Sequence, residues 1–396
     1  MPRLYQFAIF LGIVSLVLGT GHYYVYSRLV QQLALAGGAR IALGALLGGL
    51  LLLSVAMMPL NRTLPRELAS PLAWVVYTWM GTLLIMVLVF AAGDILHLAA
   101  RPLMGLGDWD PQRRALFTRW LGLGTLGVAG GLVGLSLWEG LRKVGVRQQA
   151  VTLKTLPPEL HGLRIVQLTD LHIGSTIDGD WLRRVVAQTN ALDADIIAIT
   201  GDLVDGSVDE LHPHVAPLSE LRARHGVFFV TGNHEYFSGA PAWIAHLATL
   251  GVRVLRNERI TVYPGASGHG IDIAGVDDFA GRRLAGHGPD FVKALGGRDS
   301  DRPLILLAHQ PLAITEAAAH GVDLQISGHT HGGQMWPWRY LVLLQQPYVA
   351  GLYLHPGSKT QIYVSTGTGY WGPPMRLGTT AEITHITLHA EAGVPA

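Results

Sequence analysis

The chain has no cysteine, which rules out disulfides and thiolate metal sites, although that absence does not fix a compartment. Charge is also scarce. Asp, Glu, Lys and Arg together make up 14% of the 396 residues and balance to a formal net charge of +1. A surface that tracks nucleic acid needs basic runs with interleaved aromatics; neither half of the chain has one, so no nucleic-acid partner is expected. Internal repeats and low-complexity tracts are absent too. Against so little charge, 49% hydrophobic residues and a mean hydropathy of +0.32 exceed what a wholly soluble globular chain carries. Part of the chain belongs in lipid.

The apolar excess sits at the start. Gln6 to Tyr26, Ile41 to Leu60, Ala73 to Ala92 and Trp120 to Trp138 are nearly uncharged, each about 20 residues long, the length that crosses a bilayer core at ~1.5 Å per residue. Residues 1–140 are therefore read as a transmembrane domain, an all-α bundle of four helices. A signal peptide is the other reading of the first run, but it continues into Gly21-His22-Tyr23-Tyr24-Val25-Tyr26 without a small-residue cleavage site. Tyr23, Tyr24, Tyr26, Trp74, Trp79, Trp120 and Trp138 fall near the proposed span ends, where aromatic rings favour the interface. Asp94 and His97 are a close acid and histidine at membrane depth; with no charged partner expected on another span, they are read as structural rather than as an ion path. Four spans put both termini on one side. Arg3, Arg62, Arg66, Arg142, Lys143, Arg147 and Lys154 then face Arg28, Arg40, Arg101, Arg113, Arg114 and Arg119. This near tie leans toward a multi-pass protein of the plasma (inner) membrane with a cytoplasmic C-terminal domain.

From about Glu139 the texture changes. Residues 141–160 read as a linker and first strand, and 161–396 as one domain. Strands are expected at Leu163 to Leu168, Ile196 to Thr200, Val227 to Thr231, Ile271 to Val276, Leu304 to Ala308, Leu324 to Ser327 and Gln361 to Ser365, with helices at Trp181 to Leu192 and Leu211 to His225. Alternating strands and helices predict a layered α/β body.

The chemistry-bearing residues have a regular placement. Asp170 and His172 follow Ile165-Val166-Gln167-Leu168, Asp202 and Asp205 follow Ile197-Ala198-Ile199-Thr200, and Asn233-His234-Glu235 follow Phe228-Phe229-Val230-Thr231. His309 follows Ile305-Leu306-Leu307, and Gly328-His329-Thr330-His331-Gly332-Gly333-Gln334 follows Leu324-Gln325-Ile326. Sites in α/β sheets form at the carboxyl edge of the strands, so five loops can bring their tips to one place. Oxygen and nitrogen donors without sulfur suit manganese, iron or zinc.

Asp-x-His, Gly-Asp-x-x-Asp, Gly-Asn-His-Glu, a lone His and Gly-His-x-His, in that order, resemble the calcineurin-like metallophosphoesterase superfamily. With the multi-span N-terminus, the nearest likeness is its bacterial membrane-anchored branch. The resemblance covers roughly the last 60% of the chain, and no expected ligand position is altered. It implies a four-layer sandwich, two mixed β-sheets flanked by helices, holding two divalent metal ions (Mn, Fe or Zn). Asp170, His172, Asp202 and His331 would hold one ion, and Asp202, Asn233, His309 and His329 the other, with Asp202 as the bridge. The pair would polarise a phosphoryl group and acidify a bridging water, giving hydroxide for in-line attack near neutral pH. Asp202 and His234 would be the catalytic residues, His234 stabilising developing charge or protonating the leaving oxygen. Asp205 and Glu235 are read as carboxylates that orient ligand imidazoles, with capping of the next helix as the alternative.

The implied activity is hydrolysis of phosphate esters, phosphodiesters or pyrophosphates foremost, extending in some similar enzymes to the lipid-linked UDP-2,3-diacylglucosamine. Met335 to Leu344 is an aromatic and aliphatic run beside the expected site, read either as a bilayer-surface guide for a lipid-linked substrate or as a core or domain-contact segment. Arg376, closing a glycine-punctuated loop from Gly367, is read as a bidentate phosphate clamp or a buried ion-pair partner. The competing function class is a membrane transporter or sensor with a regulatory metal domain; the spans lack the broken helices and paired charges of a transport path.

Overall fold

A computed structural model describes residues 3–103, 110–265 and 268–391. Residues 392–396 of the expected C-terminal domain, and the side chains of Arg3, Arg62, Arg101 and Arg114 from the sidedness count, lie outside the described residues. The chain divides into two compact units, Met1–Leu141 with Gly372–Met375, and Arg142–Trp371 with Arg376–Ala396.

The first unit is built from α1 (Arg3–Gln32), α2 (Gly37–Thr63), α3 (Arg66–Leu103) and α4 (Pro111–Leu141). Each expected span lies inside one of these helices, and each helix is long and apolar enough to cross a membrane. Continuous helix is what an apolar solvent demands, because every backbone N–H and C=O must find a partner within the segment. The reading of Asp94 needs correction. Its Oδ2 lies 2.6 Å from Arg28 Nη2 of α1 and accepts from the Tyr24 hydroxyl at 2.5 Å, so α1 does supply the charged partner. A second α1–α3 tie runs from Trp79 Nε1 to His22 Nε2 at 2.8 Å, whereas His97 stacks on Phe117.

The second unit opens with β1 (Gly145–Leu153), β2 (Arg164–Leu168), α5 (Gly179–Asn190), β3 (Ile196–Ile199), α6 (Val208–Val215) and β4 (Val227–Phe229). It continues through α7 (Asn233–Ser238), α8 (Ala240–Thr249), β5 (Arg253–Val254), β6 (Glu258–Val262), β7 (Ile271–Gly275) and α9 (Phe291–Leu295). Then come β8 (Leu304–Leu307), α10 (Ile314–Ala319), β9 (Leu324–Ser327), α11 (Arg339–Val342), β10 (Gly351–Leu354), β11 (Gln361–Val364) and β12 (Glu382–Ala390). Two six-stranded sheets result, ordered β1-β12-β2-β3-β4-β5 and β10-β11-β9-β8-β7-β6. Both are mixed: β2, β3 and β4 run parallel while β12 is antiparallel to β2, and β11, β9, β8 and β7 run parallel while β10 and β6 are antiparallel edges.

Alternation along the strands explains the layering. Ile165, Ile196, Ala198 and Phe228 of the first sheet meet Ile305, Leu307, Leu324 and Ile326 of the second in one core. Val166, Leu168, Ile197 and Ile199 face the other way, against Leu182, Val185 and Val186 of α5 and Leu211 of α6. Leu304 and Leu306 likewise pack on Ala294 and Leu295 of α9 and Ile314 of α10. Strands buried on both faces read as unbroken apolar runs, and each such side chain contributes roughly 1.5–3 kcal/mol by leaving water. Helix α5 starts where Asp178 accepts from the Trp181 N–H, an N-cap for its free donors. The helix expected from Leu211 to His225 is shorter: α6 ends at Val215, and Ala216–Glu220 is a 3-10 turn. Pro217 has no N–H to continue the ladder.

Candidate active site

Because β2, β3 and β4 are parallel to one another, as are β8, β9 and β11, the loops after each set leave on a common sheet edge. Those loops carry Asp170 and His172, Asp202 and Asp205, Asn233 and His234, His309, and His329 and His331. Asp170, His172 and His331 offer ligand atoms that all lie within 4.8 Å of one another, and so do those of Asp202, His309 and His329. A third such group, His172, Asp205 and His234, shares His172 with the first.

The backbone is bent to make this possible. Asp170, His172, Asp202, His329 and His331 all hold positive φ, between 49° and 71°. Asp and His tolerate the left-handed region better than most side chains, yet it is sparsely populated and typical of functional loops. Two glycines let the loops close in. A Cβ on Gly328 would run into Thr169 Oγ1 and Asp170 Oδ2, and one on Gly232 into Asp202 Oδ1.

Hydrogen bonds then aim the side chains. His309 Nδ1 donates to the Thr200 carbonyl at 2.8 Å, which turns Nε2 toward Asp202 Oδ2 at 3.1 Å. Asp205 does the same for two rings, accepting from His172 Nδ1 at 3.2 Å and from His234 Nδ1 at 2.5 Å. Both Asp170 oxygens accept the His329 N–H at 3.0 Å. His172 Nε2 and His331 Nε2 stand 3.1 Å apart, and His331 Nε2 is 3.3 Å from Asp170 Oδ1. His329 Nδ1 is 3.2 Å from His309 Nε2. Donors that share one cation at ~2.0–2.2 Å are spaced about this far from one another. Asn233 Oδ1 is buried without a hydrogen-bond donor, which costs about 1–3 kcal/mol unless something else takes its lone pair.

Electrostatics point the same way. Burial, with the charge on His309, pushes His329 down to about 3, and burial with neighbouring His172 holds His331 well below the usual imidazole range. Both rings are neutral and able to ligate. Burial works against protonating His309, but Asp202 and Asp170 outweigh it and raise that ring well above its ordinary value. Asp202, although buried, is held well below the carboxylate range by His309 and His234.

Two readings are decided by their partners. Glu235 takes the capping role and orients no imidazole: its carboxylate accepts the N–H of Gly232, the N-cap of α7, at 2.6 Å and those of Asp202 and Leu203 at 3.0 and 2.8 Å, tying two loops together at the start of the helix. Burial and the charge on Asp202 nevertheless push it up to about 7. Arg376 is no surface clamp. It is fully buried, and its guanidinium donates to the carbonyls of Thr366 and Gly369 at 2.9 and 2.5 Å, so its charge holds the Gly367 loop rather than a ligand. The run from Trp336 to Leu344 is exposed rather than core, with Trp336, Trp338, Tyr340 and Leu344 all at the surface. Sequence reasoning missed Phe237 and Trp371, whose rings flank His234; Gln167, a polar residue inside an apolar strand, was the available hint of a buried bond network behind the site, donating to Thr200 Oγ1 and the Ser327 carbonyl.

A purely structural α/β body has no use for imidazoles sent from four loops toward two carboxylates; a hydrolase that works through bound cations does, and the fold and site define that class. The chain belongs to the calcineurin-like metallophosphoesterases and is a metal-dependent phosphoric ester hydrolase. The calcineurin-like phosphoesterase family model matches residues 163–333. An uncharacterized metallophosphoesterase of Helicobacter pylori is 40% identical over 282 residues, covering 71% of this chain and 74% of that protein. A Bos taurus transmembrane protein with metallophosphoesterase domain is 45% identical over 249 residues, 61% of this chain and 56% of that one. One uncharacterized metallophosphoesterase of Bacillus subtilis is 34% identical over 268 residues, covering 66% of this chain and 91% of that protein. Four apolar helices, together with relatives named as transmembrane proteins, point to membrane association.

Proposed function

We propose that residues 161–396 hold two divalent cations, manganese, iron or zinc. Asp170, His172, Asp202 and His331 surround one, and Asp202, Asn233, His309 and His329 the other. The observation that carries this reading is the place of Asp202, whose Oδ2 stands 3.1 Å from His309 Nε2 and 3.9 Å from His172 Nε2, within reach of both clusters. The donorless Asn233 Oδ1 supports it. When bound, the cations supply Lewis-acid polarisation of a phosphoryl oxygen and a water acidic enough to attack near neutral pH.

The remaining work belongs to side chains. His234 is fixed through Nδ1 by Asp205, and its Nε2 points back toward Asp202 Oδ2 at 4.0 Å. Burial opposes its charge, but Asp202 and Asp205 outweigh burial and raise it to about 9, and the ring fixed by Asp205 is placed to pass a proton to the leaving oxygen. Asp205 keeps His172 and His234 in the required tautomers.

The bond broken is a phosphodiester or pyrophosphate, on a lipid-linked substrate of the UDP-2,3-diacylglucosamine type. The exposed aromatic and aliphatic run from Trp336 to Leu344 supports that choice, since such a surface suits an acyl and headgroup boundary. Residues 1–140 anchor the protein in the plasma membrane, with the catalytic unit on the cytoplasmic side favoured by the basic count. The full chain in detergent, supplied with Mn2+, should hydrolyse bis(4-nitrophenyl) phosphate, and Asp202→Asn should lose roughly a hundredfold or more. Undiminished turnover in that variant, or indifference to added cation, refutes the assignment.

A further inference from the structure

Two large aromatic side chains at the site stand in solvent. Phe237 and Trp371 are each 57% exposed, and each ring comes close to the same imidazole, with centroids 5.5 and 5.8 Å from that of His234. Both stand nearly perpendicular to it, at 71° and 74°, so the ring that handles the leaving oxygen has two flat apolar groups beside it. Phe237 is carried by α7, the short helix that also presents Asn233 and His234.

Trp371 is held with unusual care for an exposed loop residue. The Gln334 amide brackets its backbone, Oε1 accepting the Trp371 N–H and Nε2 donating to the Trp371 carbonyl, both at 3.0 Å. Gln334 directly follows the glycines of the His-x-His loop and itself has a φ of +46°. Its own carbonyl accepts the Leu377 N–H at 2.9 Å, and the Leu377 carbonyl accepts the Trp336 N–H at 2.8 Å. The loop bearing two candidate ligands thus also sets where the indole stands.

We infer that Phe237 and Trp371 recognise a planar ring on the leaving group of the substrate, with Gln334 as the positioning residue for Trp371. The inference rests on the reading that His234 faces the leaving oxygen. A flat group covers the whole face of a rigid ring, whereas an aliphatic chain touches only a strip of it. A stacked base gains roughly ten- to a hundredfold in affinity from such a contact.

The test uses the full chain in detergent with Mn2+ and three methyl phosphodiesters whose other alcohol is primary: uridine 5′-(methyl phosphate), 1-O-methylribose 5′-(methyl phosphate) and n-octyl methyl phosphate. The kcat/KM ratio of the uridine to the ribose ester cancels any general loss of activity. It should be roughly ten to a hundred in the wild type, fall to within about threefold of unity in the double variant Phe237→Leu, Trp371→Leu, and return toward wild type in Phe237→Tyr, Trp371→Phe. Gln334→Ala should lower the ratio and add nothing to Trp371→Leu. A wild-type ratio near one, a ratio kept in the leucine variants, or an octyl ester that loses as much as the uridine ester in those variants would each overturn the inference. If none of the esters is hydrolysed, the phosphodiester reading of the substrate falls instead. The clamp is then judged on calorimetric Kd values for uridine 5′-monophosphate and ribose 5-phosphate, where equal affinities overturn it and a preference lost in the leucine variants upholds it.

Discussion

In the proposed mechanism Asp205 bears on metal retention and on proton transfer at once, through two separate hydrogen bonds. Its carboxylate accepts from His172 Nδ1 at 3.2 Å and from His234 Nδ1 at 2.5 Å, while its side chain remains 28% exposed. Asp205→Ala frees both imidazoles to rotate and change tautomer. Loss of an outer carboxylate behind a ligand histidine typically costs about 10–100-fold in metal affinity or activity, and a mis-set general acid forfeits part of its usual ~10²–10⁴-fold contribution. Partial solvation tempers both effects, so kcat/KM at saturating Mn2+ should fall about 10²–10³-fold, a loss of ~2.7–4.1 kcal/mol in transition-state stabilisation. The two routes part in a double-mutant cycle with His234→Ala. In that background only the His172 route is left, so Asp205→Ala should cost just ~10–100-fold. The assay is diester hydrolysis across a Mn2+ titration, giving the cation dependence and kcat separately. Asp205→Ala losing less than about threefold, or losing as much without His234 as with it, would refute the claim that one carboxylate orients both rings.

Arg376→Met should lower thermal stability by about 3–5 kcal/mol, because carbonyls of the Gly367 loop lose a fully buried charged donor. A variant that melts like wild type but loses phosphate affinity would restore the clamp reading. Cation uptake should release protons, since Asp202 and Asp170 raise His309 well above its ordinary value despite burial. The protonated ring competes with the ion, so affinity rises as pH increases and weakens as pH falls. Calorimetry of Mn2+ binding in two buffers of different ionisation enthalpy reads this directly, and identical heats in both would contradict it.

The strands nearest the site were legible because both their faces are buried: Ile165 turns inward and Val166 and Leu168 outward, leaving an unbroken apolar signature. Strand β1 gave a weaker signal. It is an edge, its Arg147 and Gln148 are exposed and Gln149 is half-buried, and its register with β12 pairs Gly145 with Glu382, a partnership that no local pattern records. The candidate ligands stood out because chemistry-bearing residues follow strand ends. Their supports did not, because Glu235 works on backbone N–H groups and Arg376 on carbonyls, partners that have no side-chain identity in a sequence. Arg28 was counted as a loop charge, and its pairing with Asp94 depends on how two helices are placed side by side. Phe237 carries no chemistry of its own and becomes meaningful only next to His234.

The left-handed backbones at residues 170, 172, 202, 329 and 331 make the proposed ligand positions double as bends in the chain's path. Exchanging one of them changes two properties together, the donor and the local folding preference. Valine or isoleucine there would pit a branched Cβ against the turn itself, and a dead variant would say nothing about ligation. Asparagine accepts that half of conformational space, so it is the replacement that lets a lost reaction be traced to the exchanged donor rather than to a broken turn.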